Sequence, residues 1–377
     1  MSNENANKLF ALGEEIYFGI GGGLSETERC LKAIEYYVQA GEAGHGKACV
    51  KLVNIYAVSG PDELFDLDKA IFWAEKAGEL GETDGYYCLL EIFQAAGPNH
   101  DIEKAVYYLE KCIGKGVEIS PKYLTAAKWF FYGENTQVDY KRAVSFLLKC
   151  GTETPEADYM LGLCYENGWG LERDYDEAMY HYMLAFQPDY TVPYKTDAYL
   201  RFAILEYTHK KDYEGAIIKL EHAWYKDNPD ALYHLGTCYI LEGKNKKKGY
   251  EYLKSSARLK HVEASIKVAE ILLEGVITTK SVIKSADWYA YAYRIGGKSC
   301  AIKAAQTYEL ESGDFAALEN AKKWYDVAAN DGDEQAKKKV IEFENNKCPN
   351  CGAFFSKTTK KVLWMEQAVC AKCGKKI

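Results

Sequence analysis

The sequence predicts an all-α protein, a solenoid of about nine helix hairpins with a small cysteine-bearing module at its end. Ala33 and Ala321 lie 288 positions apart, which is eight intervals between equivalent small residues, and a mean period of 36 is typical of helical repeats. That small residue recurs at Ala33, Ala70, Ala105, Ala143, Ala178, Ala216, Gly249, Ala286 and Ala321. An aromatic or large apolar residue ends each first helix, at Tyr17, Tyr56, Phe93, Phe131, Tyr165, Tyr207, Tyr239, Leu272 and Tyr308. Only 8 prolines interrupt the 377 residues, which suits a chain dominated by helices.

Residues 156–186 show one repeat most clearly. Small and apolar residues at helical spacing predict a first helix that ends its core face at Tyr165. Gly168 and Gly170 then break the helix, because glycine readily adopts left-handed backbone angles. Asp174 offers an N-cap for a second helix. The stretch is therefore predicted to be a helix hairpin, which needs neighbouring copies to bury its apolar faces.

The run LGLCYENGWGLERDYDEAMYHYMLA in this stretch resembles the Sel1-like repeat, a relative of the tetratricopeptide repeat with a longer loop between its helices. The matching positions are Leu161, Gly162 and Tyr165, the loop glycines Gly168 and Gly170, and the Asp, Ala and aromatics that follow. The resemblance covers residues 7–346, although several copies lack the loop glycines. It implies a right-handed superhelix that scaffolds other proteins, and it does not imply an enzyme.

We expect two domains, a repeat solenoid over residues 1–346 and a separate module over residues 347–377. The longest break between hairpins, residues 187–196, contains Pro188 and Pro193, so the stack changes its pitch there or simply carries a surface loop. A charged segment, Glu334–Asn345, is predicted to be a final helix that caps the last hairpin.

Eight of the twelve cysteines are scattered through the predicted helices at repeat-equivalent places, as Cys164 is to Cys238. We predict that they are small buried hydrophobes rather than a disulfide framework. No apolar run reaches the roughly 18 residues that a membrane span needs, so no membrane partner is expected. The start of the chain lacks the basic and apolar regions of a signal peptide, which predicts a cytoplasmic protein.

The other four cysteines form two C-x2-C pairs, Cys348 with Cys351 and Cys370 with Cys373, separated by 18 residues. This spacing is typical of a zinc site, and four thiolates fill the tetrahedral shell of one structural Zn²⁺. The segment between the pairs favours strand over helix, so residues 347–377 resemble a zinc ribbon. The alternative is a disulfide pair or unpaired thiols.

The charge balance changes at the same boundary. Residues 347–377 hold seven lysines against Glu366 alone, a net charge of +6, which leaves −14 on the solenoid. Lysines beside Phe354, Phe355 and Trp364 could serve nucleic-acid binding. Alternatively, the aromatic rings form the core of the ribbon and the lysines only solvate it.

A binding face is expected on the first helices, which line the concave side of tetratricopeptide-like stacks. Alignment on the terminal aromatics puts four residues at one groove-facing position: Tyr87, Tyr159, Arg201 and Tyr233. Trp129, Leu205 and Thr237 occupy the next position. Tyrosine, tryptophan and arginine are enriched at binding hot spots, although aromatics at helical spacing also serve packing.

These observations favour a non-enzymatic scaffold that binds protein partners, because no acid–base or nucleophile constellation emerges from the sequence. The alternative is a nucleic-acid-associated adaptor, in which the basic ribbon contacts RNA or DNA. An enzyme that uses the ribbon as a substrate clamp is the third class.

Overall fold

The structure is a computed structural model that describes residues 3–19, 23–95, 100–117, 120–151, 154–186, 193–221, 227–345 and 347. Nineteen α-helices occupy these residues, arranged as nine hairpins and a final helix. The all-α prediction is therefore confirmed for the part that the structure describes. The predicted zinc ligands lie outside it.

The odd-numbered helices are the first helices of the hairpins, and the even-numbered helices are the second. The first helices are α1 (Asn3–Phe18), α3 (Gly46–Val53), α5 (Thr83–Gln94), α7 (Ser120–Tyr132), α9 (Pro155–Asn167), α11 (Pro193–Thr208), α13 (Pro229–Glu242), α15 (Val262–Glu274) and α17 (Cys300–Glu309). The second helices are α2 (Glu26–Glu42), α4 (Leu67–Glu79), α6 (Ile102–Gly114), α8 (Tyr140–Leu147), α10 (Tyr175–Ala185), α12 (Tyr213–Leu220), α14 (Lys246–Arg258), α16 (Val282–Arg294) and α18 (Phe315–Asn330). The final helix is α19 (Glu334–Asn345), with the bounds that the sequence predicts.

The chain divides into two compact units, Met1–Ala185 and Phe186–Ile377. Within each unit a helix packs chiefly against the helices next to it in the chain, and most closely against the other helix of its own hairpin. Packing that is local in sequence is the defining property of a repeat stack, in which each hairpin contacts its neighbours. The boundary falls beside the predicted break at residues 187–196.

The recurring small residues are fully buried, as their spacing predicts. All eight alanines of the series have 0% exposure, and Gly249 is buried as well. A larger side chain at these positions would separate the two helices of a hairpin, because helices cross closely only over small residues. The terminal aromatics are buried or half-buried.

Every second helix begins at a cap of the same kind. The cap side chain accepts a hydrogen bond from a backbone N–H two or three residues later, an interaction worth about 1 kcal/mol. The nine caps are Ser25, Asp66, Asp101, Asp139, Asp174, Asp212, Asn245, Ser281 and Asp314. The predicted role of Asp174 is thus confirmed and recurs in every hairpin.

A backbone hydrogen bond closes the loop before the cap. The N–H of Asp174 donates to the carbonyl of Tyr165 at 3.0 Å, and the N–H of Ser281 donates to that of Leu272 at 2.9 Å. Asp66 and Asp101 make the same bond to the terminal aromatics of their hairpins. In hairpins α7–α8 and α11–α12 the cap N–H donates one residue earlier, to the carbonyls of Phe130 and Glu206. Loops of different sequence therefore return the chain to nearly the same point of the first helix in these six hairpins.

The G-x-G loop of the fifth hairpin shows why glycine is needed there. Gly168 and Gly170 have φ values of 73° and 75°, in the left-handed region. A Cβ on Gly170 would lie 2.4 Å from the carbonyl oxygen of Tyr140, the first residue of α8. Between the glycines, Trp169 stacks on the Tyr140 ring at 4.9 Å. The loop therefore also joins its hairpin to the preceding one.

Candidate functional site

Ion pairs connect neighbouring first helices of unit 1. These pairs join α1 to α3, α5 to α7 and α7 to α9. They are Glu14–Lys51 at 3.0 Å, Glu91–Lys122 at 2.5 Å and Lys128–Glu156 at 2.8 Å. Apolar surface that stays open on this face is therefore the candidate for partner binding.

One such opening lies beside Tyr87, between α5 and the end of α3. The cavity measures about 470 Å³ and is lined chiefly by apolar side chains, among them Val58, Phe65, Tyr87 and Ile92. Val58 is 69% exposed, Phe65 62% and Tyr87 38%. We call this site, with Cys88 at its wall, the Tyr87 cleft. Such exposure of large apolar groups in one concavity is typical of a binding surface.

A π-helical turn creates the Tyr87 cleft. Helix α3 continues as Asn54–Val58, and the N–H of Ser59 donates to the carbonyl of Asn54 at 2.8 Å, across five residues. The wider turn places Val58 at the surface rather than in the core. π turns are frequent at functional sites because they redirect side chains locally.

The polar rim of the cleft is organised around Glu91. Its carboxylate pairs with Lys122 and accepts a hydrogen bond from Gln94. A further hydrogen bond from the Tyr87 hydroxyl to Glu91 raises the pKa of Tyr87. The Lys122 Nζ lies 5.9 Å from the centre of the Tyr87 ring. Tyr87 is thus held in place with one ring face beside the cleft, and it stays a neutral phenol.

Two other predicted residues of unit 1 differ in exposure. Trp129 is only 9% exposed, so its ring offers little surface to a partner, and this burial favours a packing role. Tyr159 is half-buried, with its ring 6.2 Å from that of Tyr182 on the second helix of the same hairpin.

In unit 2, Arg201 and Tyr233 are both partly exposed and engaged with neighbours. The Arg201 Nε donates to the Asp197 carboxylate at 2.7 Å, one turn earlier on α11. The Tyr233 ring stacks on His261 at 4.7 Å, and burial raises the pKa of Tyr233. Of the adjacent predicted positions, Leu205 is buried and the Thr237 hydroxyl donates to the Tyr233 carbonyl at 2.8 Å.

The helical cysteines behave as the sequence predicts. In the described chain all eight are free thiols; seven are buried, and Cys88 is half-buried. Burial raises the pKa of Cys164 and of Cys238 to about 12, so both thiols stay protonated at neutral pH. Protonated, enclosed thiols are poor nucleophiles and poor metal ligands.

Metal binding has no candidate among the described residues, where no group of three His, Cys, Asp or Glu side chains converges. The predicted ligands Cys348, Cys351, Cys370 and Cys373 lie beyond residue 347, outside that part of the chain. The zinc site stays a prediction. Over the described residues, no helix is long and apolar enough to cross a membrane.

The packing, the caps and the periodic small residues define the class as a helical-hairpin repeat protein. A model of the Sel1 repeat matches residues 9–45, 62–82, 92–113, 123–149, 155–186, 229–261 and 262–296, more than half of the chain. The chain belongs to the Sel1 repeat family. Hairpins α11–α12 and α17–α18 lie outside the matched segments, so the structure shows more of the repeat series than the family model does.

Among curated proteins, the Sel1-repeat-containing protein YjcO of Escherichia coli K12 is 29% identical over 151 residues. The match covers 39% of this chain and 63% of that protein. The YjcO protein of Shigella flexneri matches to the same extent.

The chain is also similar to two solved structures. The c5321 antigen of uropathogenic E. coli is 20% identical with a TM-score of 0.47, over 81% of this chain and 66% of that one. A Sel1 repeat protein from Oxalobacter formigenes is 18% identical with a TM-score of 0.39, over 89% and 86% of the two chains.

Proposed function

We propose that this protein is a non-enzymatic scaffold that binds protein partners on the first-helix face of its repeats. Sel1 and tetratricopeptide-like repeat proteins generally mediate protein–protein interaction, and they are generally not enzymes. The Tyr87 cleft carries the proposal, because it exposes large apolar side chains beside a tyrosine held by Glu91. A partner would insert an apolar side chain into the cleft and place polar groups against its rim.

The test is a pull-down from a cell lysate with the full chain, followed by mass spectrometry. Tyr87→Ala removes the ring from the cleft, and Tyr107→Ala removes a tyrosine that is 51% exposed on the second helix α6. We expect a partner that the wild type and Tyr107→Ala retain and that Tyr87→Ala loses. Retention of every captured protein by Tyr87→Ala would contradict a role for the cleft. Arg201→Ala, Tyr159→Ala and Tyr233→Ala test the other first-helix positions in the same way.

We also propose that residues 347–377 form a zinc ribbon in which Cys348, Cys351, Cys370 and Cys373 hold one structural Zn²⁺. The spacing of the four thiols supports this proposal, and the eight unpaired helical thiols suit a reducing compartment such as the cytoplasm. Elemental analysis should find one zinc per chain, close to none after Cys348→Ser with Cys370→Ser, and an unchanged content after Cys88→Ser. A metal-free wild type purified without chelator would overturn it.

The second candidate is the nucleic-acid adaptor, which the +6 charge of residues 347–377 favours. Neutralised phosphates release counterions, so such binding should weaken steeply with salt. The test is a gel shift at roughly physiological salt. Submicromolar binding that is lost on changing Lys357, Lys360 and Lys361 to glutamine would favour the adaptor function over the scaffold function. We expect only weak, nonspecific binding.

A further inference from the structure

A second concave site lies in unit 2, on the second helices. Arg258, the last residue of α14, lies beside Lys284, Asp287, Trp288 and Tyr291 of α16, and together they line a cavity of about 380 Å³. We call this site the basic cleft. Its four α16 residues recur at three- and four-residue intervals, so they form one outward stripe of that helix. The site is therefore distinct from the first-helix face.

The floor of the basic cleft is aromatic. The rings of Trp288 and Tyr291 meet edge to face with centres 5.5 Å apart, and both side chains are half-buried. The lining is mostly apolar around these rings. An aromatic floor of this size takes one or two side chains, and flat rings give a partner large contact area at low entropic cost.

Two cations stand at the edge of that floor without anionic partners. Within the described residues, neither Arg258 nor Lys284 forms an ion pair, although both are exposed. The cleft also contains Asp287, whose carboxylate accepts the hydroxyl hydrogen bond of Tyr308. Asp287 is thus committed to the packing of the next hairpin, while the two cations remain available to a ligand.

The wider charge pattern supports an acidic ligand. The second helices α14 and α16 carry a net charge of +5, whereas the first helices α13 and α15 between them carry −4. Lys246 and Lys247 at the start of α14, and Lys260 just after its end, are exposed as well. This local positive field, in a chain whose formal charge is −8, attracts a negative group to one side of the repeats.

We propose that the basic cleft binds a short acidic segment of a partner protein that carries an aromatic or large aliphatic side chain. Carboxylates of the segment pair with Arg258 and Lys284, and its apolar side chain packs on Trp288 and Tyr291. A peptide fits better than a nucleic acid, because Asp287 and the acidic first helices repel a long polyanion whereas a segment of a few residues reaches only the cations. This surface is independent of the Tyr87 cleft, so either proposal can fail alone.

Fluorescence anisotropy with the full chain tests the proposal. The probe is a fluorescein-labelled heptapeptide of aspartate and glutamate with a central phenylalanine, beside a peptide with a central glycine and a twenty-nucleotide oligo-dT. Arg258→Gln with Lys284→Gln removes the two cleft cations. Lys246→Gln with Lys298→Gln is the matched control, since it removes two exposed cations outside the cleft lining with the same change in net charge.

We expect the cleft variant to weaken binding of the phenylalanine peptide by about tenfold and the control variant by less than about threefold. The glycine peptide should bind about fivefold more weakly than the phenylalanine peptide, because it lacks the apolar anchor. The substituted cations are exposed, so circular dichroism should show that both variants are folded. Two further variants test the aromatic floor: Trp288→Phe, which keeps a ring, should weaken binding less than Trp288→Ala.

Three results would overturn the proposal. The first is no saturable binding of the phenylalanine peptide up to about 1 mM, beyond which contacts of this kind lose specificity. The second is an equal loss in the cleft and control variants, which would reduce the effect to net charge. The third is tighter binding of oligo-dT that the cleft variant abolishes, which would assign the cleft to nucleic acid instead.

Discussion

Hairpins α9–α10 and α13–α14 use an equivalent glycine in two different ways. Gly162 and Gly236 both follow a leucine in the first helix, three residues before its terminal tyrosine. A Cβ on Gly162 would lie 2.5 Å from the Tyr182 ring, so this glycine makes room for an aromatic side chain. A Cβ on Gly236 would lie 2.8 Å from the carbonyl oxygen of Gly249, so this glycine makes room for another backbone.

The difference begins at one position of the second helix. Four residues after the recurring small residue, α10 has Tyr182 and α14 has Leu253. The Tyr182 hydroxyl donates to Glu166 at 2.5 Å, and the same bond recurs from Tyr325 to Glu309. Tyr37, at the matching place on α2, donates to Glu14 at another position of its first helix. With leucine there, α14 approaches α13 through a pair of glycines instead. One repeat pattern therefore supports two packings, and the second-helix residue selects between them.

Two buried thiols allow the hairpins to be compared one at a time. Cys164 lies on α9 and Cys238 on α13, and each is fully buried. Because both are enclosed and protonated, a thiol reagent should modify them only when their hairpin opens. Labelling rates at each cysteine, read by mass spectrometry, then give the opening free energy of each hairpin.

The largest expected effect is on hairpin α9–α10, where the Tyr182 ring packs over Gly162. Tyr182→Ala should lower the opening free energy at Cys164 by about 4 kcal/mol, because it leaves a cavity over Gly162 where a fully buried ring lay. The free energy at Cys238, in the other unit, should change by less than about 0.5 kcal/mol. Equal loss at both thiols would mean that the units open together.

The second largest effect is expected from acidification of hairpin α13–α14, where Gly236 and Gly249 are in contact. Burial lowers the pKa of His234 on α13 to about 4, and its Nδ1 lies 2.6 Å from the Tyr207 hydroxyl. A neutral imidazole in the folded state stabilises the hairpin above the ordinary histidine pKa of about 6.5, and that stability is lost as pH falls from about 6.5 towards 4. The loss at Cys238 should reach about 3 kcal/mol.

The control for the pH experiment is His234→Gln, which keeps a polar side chain without an ionisable ring. The opening free energy at Cys238 is compared between wild type and variant at each pH. The difference gives the contribution of His234 alone, because the other titrating groups are the same in both proteins, including Asp230 and His261, whose charges act on His234. The matching position on α9 is Met160, but hairpin α9–α10 holds its own pair of His181 and Asp158, so the reference is His234→Gln and not Cys164. An unchanged pH profile in His234→Gln would refute the assignment.

Replacing each glycine with alanine should distinguish a glycine that contacts a side chain from one that contacts backbone. Gly162→Ala and Gly236→Ala should each cost about 2 kcal/mol at the local thiol, since overpacking outweighs the better helix propensity of alanine. The cost of Gly162→Ala should largely disappear in a Tyr182→Leu background, where no ring is displaced. The cost of Gly236→Ala should persist in Leu253→Ala, because the Gly249 carbonyl still blocks the methyl group.

The smallest expected effect comes from the tyrosine hydroxyls. Tyr182→Phe should cost about 1 kcal/mol at Cys164, because it removes the hydrogen bond to Glu166 and keeps the ring. Tyr239→Phe should cost less at Cys238, since Lys248 still pairs with Glu221 at 2.6 Å without the hydroxyl. A larger loss of opening free energy for Tyr239→Phe than for Tyr182→Phe would contradict this prediction.

The repeat period, the hairpins, the N-cap at Asp174 and the bounds of the last helix could be predicted from the sequence, because each depends on residues close together in the chain. Small residues at a mean spacing of 36 and a capping residue before a helix are local signals. Ala33 and Ala321 are both fully buried, at the two ends of the series. The right-handed sense of the stack and the zinc ribbon stay predictions.

The sequence was less informative about the face that a side chain occupies. Tyr87 and Trp129 were predicted at adjacent groove positions, yet Tyr87 borders an open cleft and Trp129 is almost enclosed. One residue turns a helix by 100°, so a small error in alignment exchanges groove for core. Aromatic residues fit either surface, which is why residue type alone does not separate them.

Both clefts were decided by tertiary structure. The Tyr87 cleft depends on the π turn Asn54–Val58, where one wider hydrogen-bonded ring turns Val58 outwards. The basic cleft brings Arg258 beside Lys284, 26 positions along the chain and in the next hairpin. Sequence periodicity fixes which residues share a helix face, but the packing of successive hairpins determines which faces meet and where they leave an opening.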